Sequence, residues 1–165
     1  MQKASDVIGR SVVLREGGET VGKVKDLVVD PAGRQVLGFV VSESLFRGTK
    51  VVPWAGVQAI GPDAVVVGAA ASIVKAADAP DIKAVLDKDL SIRGLRLQTT
   101  AGKELGKIDD FQFDEHTGAV LGYELAGGVF GRNSFLPTPL SLELGKELAF
   151  VGPEAEATIG KVEKE

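Results

Sequence analysis

The chain has 165 residues, of which 44% are hydrophobic and 25% charged, so it carries enough apolar material for a folded core. Its 19 basic residues are outnumbered by 23 acidic ones and form no basic run, which argues against direct contact with a nucleic-acid backbone. The absence of cysteine excludes disulfides, thiolate metal sites and cysteine nucleophiles, and it fits a cytoplasmic location.

Neither a signal peptide nor a membrane span is indicated. The amino-terminal segment lacks the apolar core of a signal peptide. The longest stretch of low charge, residues 63–74, is interrupted by glycine and is far shorter than the ~20 apolar residues that cross a bilayer. We therefore expect no transmembrane helix, while peripheral association with a membrane stays open.

In chain order, the first half predicts short strands over residues 11–15, 21–30, 36–42, 50–53 and 64–67. Each is rich in β-branched residues, and glycine-bearing turns recur about every ten residues, which favours a barrel or sandwich. Pro31 presets φ and Gly33 can take positive φ, so residues 30–33 are expected to form a hairpin turn.

The strand pattern ends at residues 69–89, which are first alanine-rich and then helical in spacing. Ile82, Val85 and Leu86 give a helix one apolar side, and Pro80 or the next residue can start it. We predict a helix that packs on a barrel. We expect residues 1–75 and 91–153 to be the two domains, 76–90 the helical linker and 154–165 a frayed tail.

The second half repeats the first at a spacing of 84 residues. The matched positions are turn glycines, single aspartates and core hydrophobics. They include Gly22/Gly106, Lys23/Lys107, Asp26/Asp110, Asp30/Asp114, Val36/Val120, Gly38/Gly122, Phe46/Phe130 and Pro53/Pro137. Two copies in one chain can form a pseudo-twofold pair, with an interface expected around Phe39 and its counterpart Tyr123.

A G-K-V/I-x-D element, followed by an aspartate turn and a V-L-G strand, occurs in both copies, at residues 22–38 and 106–122. With the downstream segment VVPWAGVQAIGPDAVVV, this combination resembles the PRC-barrel domain. The resemblance implies a mainly β protein with two small PRC-type barrels in tandem, joined by a short α-helical linker. Family members include the cytoplasmic part of the photosynthetic reaction centre H subunit and the carboxyl-terminal domain of a ribosome maturation factor.

No catalytic, cofactor or metal site is predicted. The sequence lacks nucleotide-binding glycine motifs and a nucleophile elbow. His116, the single histidine, has acidic neighbours in a turn, but a turn histidine is usually solvated, and whether it binds an ion stays open. Asp26 and Asp110 are expected to accept backbone hydrogen bonds rather than act as paired acid-base carboxylates.

The candidates for protein contact are aromatic and arginine residues in loops, together with the single tryptophan. They are Phe46, Arg47, Trp54, Phe130 and Arg132. Each has an alternative role: the phenylalanines as core with solvated arginines beside them, and Trp54 as a plug of the barrel or a contact of the linker helix.

Three functions are weighed. The first is a non-catalytic adaptor that binds an unknown protein partner, such as a scaffold at the cytoplasmic face of a membrane complex, with homo-oligomerisation left open. The second is a ribosome maturation or RNA-processing accessory factor that acts through a ribosomal protein, since a pI near 5.1 suits a basic protein partner. The third is a metal- or ligand-dependent enzyme built on His116.

Overall fold

The computed structural model describes residues 1–42, 48–127, 133–138 and 142–161. These residues form a mainly β protein with two sheets and few helices. The amino-terminal segment forms β1 (Gln2–Lys3) and α1 (Ala4–Val7). The first repeat contains β2 (Ser11–Leu14), β3 (Thr20–Val29), β4 (Val36–Ser42), β5 (Lys50–Pro53), β6 (Val57–Ile60), β7 (Ala64–Val67) and β8 (Val74–Lys75).

Helix α2 (Pro80–Asp87) connects the repeats. The second repeat contains β9 (Arg96–Thr99), β10 (Glu104–Phe113), β11 (Val120–Ala126), β12 (Ser134–Pro137), β13 (Leu142–Leu144), β14 (Leu148–Val151) and β15 (Gly160–Lys161). Short 3-10 helices lie at Trp54–Gly56, Ala70–Ser72, Ala76–Asp78 and Pro153–Thr158.

The two repeats have the same strand order. The first sheet runs β6-β7-β2-β3-β4-β5-β8, and the second runs β13-β14-β9-β10-β11-β12-β15. In each sheet, the second and third strands of this order pair in parallel, β7 with β2 and β14 with β9. Gly22 and Gly106 take φ of 154° and 134° beside register shifts, which lets both long strands bend as expected.

Helix α2 begins at Pro80, as predicted, because proline is well suited to the first turn of a helix. Its buried side chains, Ile82 and Val85, pack with Val28, Val40 and Val51 of the first sheet. The helix therefore covers one side of the first repeat.

One hydrophobic core runs through both repeats. Val12 and Phe39 of the first repeat and Ile108 and Tyr123 of the second belong to the same buried cluster. The expectation that Phe39 and Tyr123 lie at the interface is confirmed, since both are buried in this shared core. The division of the chain into domains at residues 75, 90 and 153 stays a prediction.

The amino-terminal segment crosses to the second repeat. Strand β1 pairs antiparallel with the end of β10, and the amine of Lys3 lies 3.0 Å from a carboxylate oxygen of Glu124. The backbone amide of Ser5 donates a 3.1 Å hydrogen bond to Asp110, and its hydroxyl donates a second one. Met1 to Val7 thus stabilise the repeat that lies further along the chain.

Two expectations need correction. Strand β6 was not predicted, because Val57–Ile60 combines partly buried and exposed positions without a clear alternation. The carboxyl-terminal tail is not frayed through the part that the structure describes: Ala155 is buried in the core, and Gly160 pairs with Phe135 of β12.

Candidate functional site

The hairpin turns of the two repeats are built by matching aspartates. The carboxylate of Asp30 accepts hydrogen bonds from the backbone amides of Arg34 at 2.6 Å and Gln35 at 3.0 Å. Asp114 accepts from the amides of His116 at 2.7 Å and Thr117 at 3.1 Å. These bonds stabilise the ionised carboxylate, so the pKa of Asp114 lies below its ordinary value.

The two turns meet across a pseudo-twofold axis. Gln35 and Ala119, which occupy equivalent positions, form an isolated antiparallel bridge. On one side of it the amide of Val36 donates to the carbonyl of Gly118, and on the other the amide of Val120 donates to that of Arg34, both at 2.8 Å. Because each hydrogen bond is the symmetry mate of the other, the repeats pack like the subunits of an isologous dimer.

On one side of this axis the turn of the first repeat is packed tightly against the second, and we call this the closed junction. The Tyr123 hydroxyl donates a hydrogen bond to the carbonyl of Gly33, and the amide of Leu144 donates to that of Pro31 at 3.2 Å. Leu142 is only 3% exposed and lies beside Gly33. Burial raises the pKa of Tyr123 far above its ordinary value, so its hydroxyl stays protonated as a donor.

On the other side the turn of the second repeat faces strand β6 across a cavity of about 230 Å³, and we call this the open junction. Trp54, Val57 and Ile60 are partly buried and supply an apolar floor. The polar rim consists of Gln58, Glu115 and His116, and Ala59 completes the lining.

Trp54 is held by aromatic contacts from both repeats. Its ring centroid lies 6.0 Å from that of Phe39, and 6.3 Å from that of Phe113 in an edge-on arrangement. The turn passes close to the same ring, since a Cβ at Gly118 would come within 2.9 Å of it. Trp54 therefore packs between the repeats and not on the linker helix, and its remaining surface faces the cavity.

The two junctions differ because equivalent positions carry different residues. Leu142 fills the closed junction, whereas its counterpart Gln58 is exposed at the open one. Trp54 has Thr138 as its counterpart, and the pair Glu115 and His116 corresponds to residues 31–32. The positions at which the repeats differ thus converge on one cavity.

His116 is exposed on the rim of this cavity, and its acidic neighbours have other partners. Asp114 accepts backbone amides, and Glu115 pairs with the amino group of Met1, which lowers the pKa of that carboxyl. Among residues 1–42, 48–127, 133–138 and 142–161, no three His, Asp or Glu side chains are grouped to hold a metal ion.

The repeated aspartates of β3 and β10 accept backbone hydrogen bonds, as predicted. Asp26 accepts from the amide of Leu27 at 2.8 Å, and Asp110 accepts from that of Phe111 at 2.9 Å. Surrounding protein atoms raise the pKa of Asp26 although the residue keeps an exposed surface, so solvent screening limits the energetic consequence. Asp110 is 4% exposed and also accepts a hydrogen bond from the backbone amide of Ser5.

Arg93 links these two aspartates, a contact that the sequence did not predict. Its Nε lies 3.9 Å from a carboxylate oxygen of Asp110, and its charge partly offsets the raised pKa of Asp26. The adjoining cavity, which Asp26 and Arg93 both line, holds only about 10 Å³, roughly one water molecule. It therefore has no space for a substrate, and Arg93 serves the packing of the repeats.

Of the residues predicted for protein contact, the structure describes Trp54, and it places this side chain in the open junction. Phe46, Arg47, Phe130 and Arg132 lie outside the described residues. Sequence reasoning missed Val57 to Ile60 as part of the site. Their difference from the corresponding residues of the second repeat was the available signal.

Comparison with protein families gives a match in each of the two repeats. The family model for the PRC-barrel domain matches residues 1–72 and again residues 88–151. No curated protein matches the chain significantly.

Among the described residues, no helix has both the length and the apolar character to cross a membrane. PRC-barrel domains are generally non-catalytic modules. Since the two matches cover most of the sequence, this chain belongs to the PRC-barrel family and contains two such domains in tandem.

Proposed function

We propose that this chain is a non-catalytic adaptor that binds a partner protein in the open junction. The observation that carries the proposal is the convergence of Trp54, Gln58, Glu115 and His116, all of which differ from their counterparts, on one cavity. The shared residues maintain two similar barrels and offer no reason for this difference. A binding site used on one side only accounts for it.

The chemistry of the cavity suits protein recognition. Trp54 is fixed between two aromatic rings, so little conformational entropy is lost when a partner side chain packs on it. Tryptophan is enriched among interface residues that contribute most to affinity, and an apolar centre with a polar rim is typical of such sites. The cytoplasmic location and the adaptor role expected from the sequence belong to this proposal.

A photo-crosslinking experiment tests the site. A benzoylphenylalanine at Gln58, which is exposed on the rim, should give a discrete crosslinked product in the native host. Ala59→Arg should reduce that product about tenfold, because the new side chain occupies the cavity and about 1.4 kcal/mol of lost affinity corresponds to a factor of ten. The matched control is Thr100→Arg, an equally exposed position in a turn of the second repeat.

Equal crosslinking in the Ala59→Arg and Thr100→Arg proteins would contradict the open junction as the binding site. Both variants should retain the thermal melting point of the parent chain, since both replaced side chains are exposed. This control separates a blocked site from an unfolded protein.

The two biological settings considered from the sequence make different demands on the partner. A scaffold at the cytoplasmic face of a membrane complex would contact integral membrane proteins, whereas a ribosome maturation accessory would contact a basic ribosomal protein. The pI near 5.1 is compatible with the second setting. Mass spectrometry of the product crosslinked through Gln58, after nuclease treatment, distinguishes them.

A further inference from the structure

Strand β6 lies at the end of its sheet. Its inner edge pairs with β7, and within the residues that the structure describes no strand pairs with its outer edge. An unpaired edge presents backbone N–H and C=O groups to any extended segment that can reach them. All four residues of β6 line the open junction, so the cavity follows this edge.

The register shows which backbone groups point outward. Gly61 donates a 2.9 Å hydrogen bond to the carbonyl of Ala64, which closes the β6-β7 hairpin. Hydrogen-bonded and non-hydrogen-bonded pairs alternate along an antiparallel ladder. Ile60, which is opposite Val65, therefore directs its N–H and C=O away from β7.

The equivalent edge in the second repeat, that of β13, shows how a backbone group can pair with it. Leu144 is the counterpart of Ile60, and it lies opposite Ala149 in the same register. Its outward N–H donates to the backbone carbonyl of Pro31 at 3.2 Å, so a segment of the first repeat caps the edge of β13. At the open junction no described residue donates to or accepts from the outward groups of Ile60 in this way.

We propose that the outer edge of β6 takes up an extended segment of a partner protein as an additional β-strand, with an apolar side chain seated on Trp54. This inference rests on the proposed function and specifies the kind of partner. Backbone pairing gives affinity in this mode of recognition, and alternate side chains give specificity. The cavity, of about 230 Å³, lies between this edge and the turn at Glu115 and His116, and the added strand would enter it there.

The test uses the full chain and a phage-displayed library of random dodecapeptides. Because Trp54 is the only tryptophan, its fluorescence reports binding of a selected peptide in the open junction directly. We expect peptides with apolar residues at alternate positions. Ile60→Pro removes the outward N–H and should weaken binding about tenfold more than Ile60→Ala, which shortens the side chain but keeps the N–H.

Proline is tolerated on an edge strand where the replaced N–H faces outward, so Ile60→Pro should fold, which thermal melting checks. A second measurement needs no protein variant. Single N-methylation along the bound peptide should weaken binding at every second residue, because only alternate amides of the added strand point toward β6.

The outcomes separate the strand proposal from the proposed function. Equal affinity for Ile60→Pro and Ile60→Ala, or N-methylation effects without a two-residue period, overturns strand addition. If Ala59→Arg still weakens binding about tenfold in that case, the open junction stands as the binding site. A library that yields no peptide quenching Trp54, or a self-associated chain that Ile60→Pro converts to a monomer, also overturns the strand proposal, the latter in favour of a second copy as occupant.

Discussion

The closed and open junctions lie at equivalent places in the two repeats, yet one is packed and the other holds a cavity of about 230 Å³. At the closed junction, Leu142 fills the apolar space, and the Tyr123 hydroxyl holds the facing turn by its hydrogen bond. The carbonyl of Pro31 accepts a hydrogen bond from the edge of β13. At the open junction, the exposed Gln58 takes the place of the leucine, and no residue that the structure describes caps the edge of β6. Different side chains and a different hairpin turn, within the same strand order, therefore separate a structural contact from an accessible surface.

The largest difference in stability between the junctions is expected at Leu142 and Gln58, which occupy equivalent positions in the two repeats. Leu142→Ala removes a side chain that is 3% exposed and should lower the free energy of unfolding by about 2–5 kcal/mol. Gln58→Ala, at the exposed counterpart, should change it by no more than roughly 0.5 kcal/mol. Urea unfolding of the two variants measures the difference, and similar losses in both would contradict the distinction between the junctions.

A smaller effect is expected from the hydroxyl that spans the closed junction. Tyr123→Phe keeps the ring but leaves the carbonyl of Gly33 without its buried donor, which should cost about 1–3 kcal/mol of unfolding free energy. The counterpart Phe39 has no hydroxyl and contacts Trp54 instead, so the bond belongs to one junction only. Unchanged stability of Tyr123→Phe, measured by the same urea unfolding, would show that the hydroxyl adds nothing to closure.

The smallest effect concerns the turn that borders the open junction. Since two backbone amides lower the pKa of Asp114, its ionised form stabilises the fold above the ordinary carboxylate pKa of about 4. That contribution is lost as the pH falls through the lower folded value. The advantage in melting temperature over Asp114→Asn should therefore shrink as the pH is lowered below about 4.

Asp63→Asn provides the control for this pH dependence, because Asp63 is an exposed carboxylate outside the turn. The difference between Asp114→Asn and the parent should exceed the difference for Asp63→Asn at neutral pH. Parallel pH profiles for the two variants would contradict a role of the Asp114 charge in the turn.

Much of the fold could be predicted from local sequence. The glycines and aspartates of the repeat mark turns, and Pro80 marks the start of α2, because these residues constrain the backbone at their own positions. Within the candidate site, the sequence drew attention to Trp54 for protein contact and to His116 for ion binding, but it did not bring them together. The cavity depends on how residues 115–118 approach β6, and no local pattern encodes a contact between segments so far apart in sequence.

The same limit explains two further features that were not predicted. The approach of Arg93 in the second repeat to Asp26 in the first depends on the way the repeats pack, which no local pattern around either residue indicates. Strand β6 is short and mixed in burial, so only its pairing with β7 identifies it. The difference between Gln58 and Leu142 was visible in the repeat, but its meaning required the cavity.

The crossing of the amino-terminal segment has a consequence for the order of folding. Ser5 reaches its partner Asp110 across a separation of 105 residues, so β1 and α1 are synthesised long before the strand that receives them. Contacts at such separation form late, because the entropy of closing the intervening loop must be overcome first. During synthesis on the ribosome, the segment that leads the chain is therefore among the last to reach its native position.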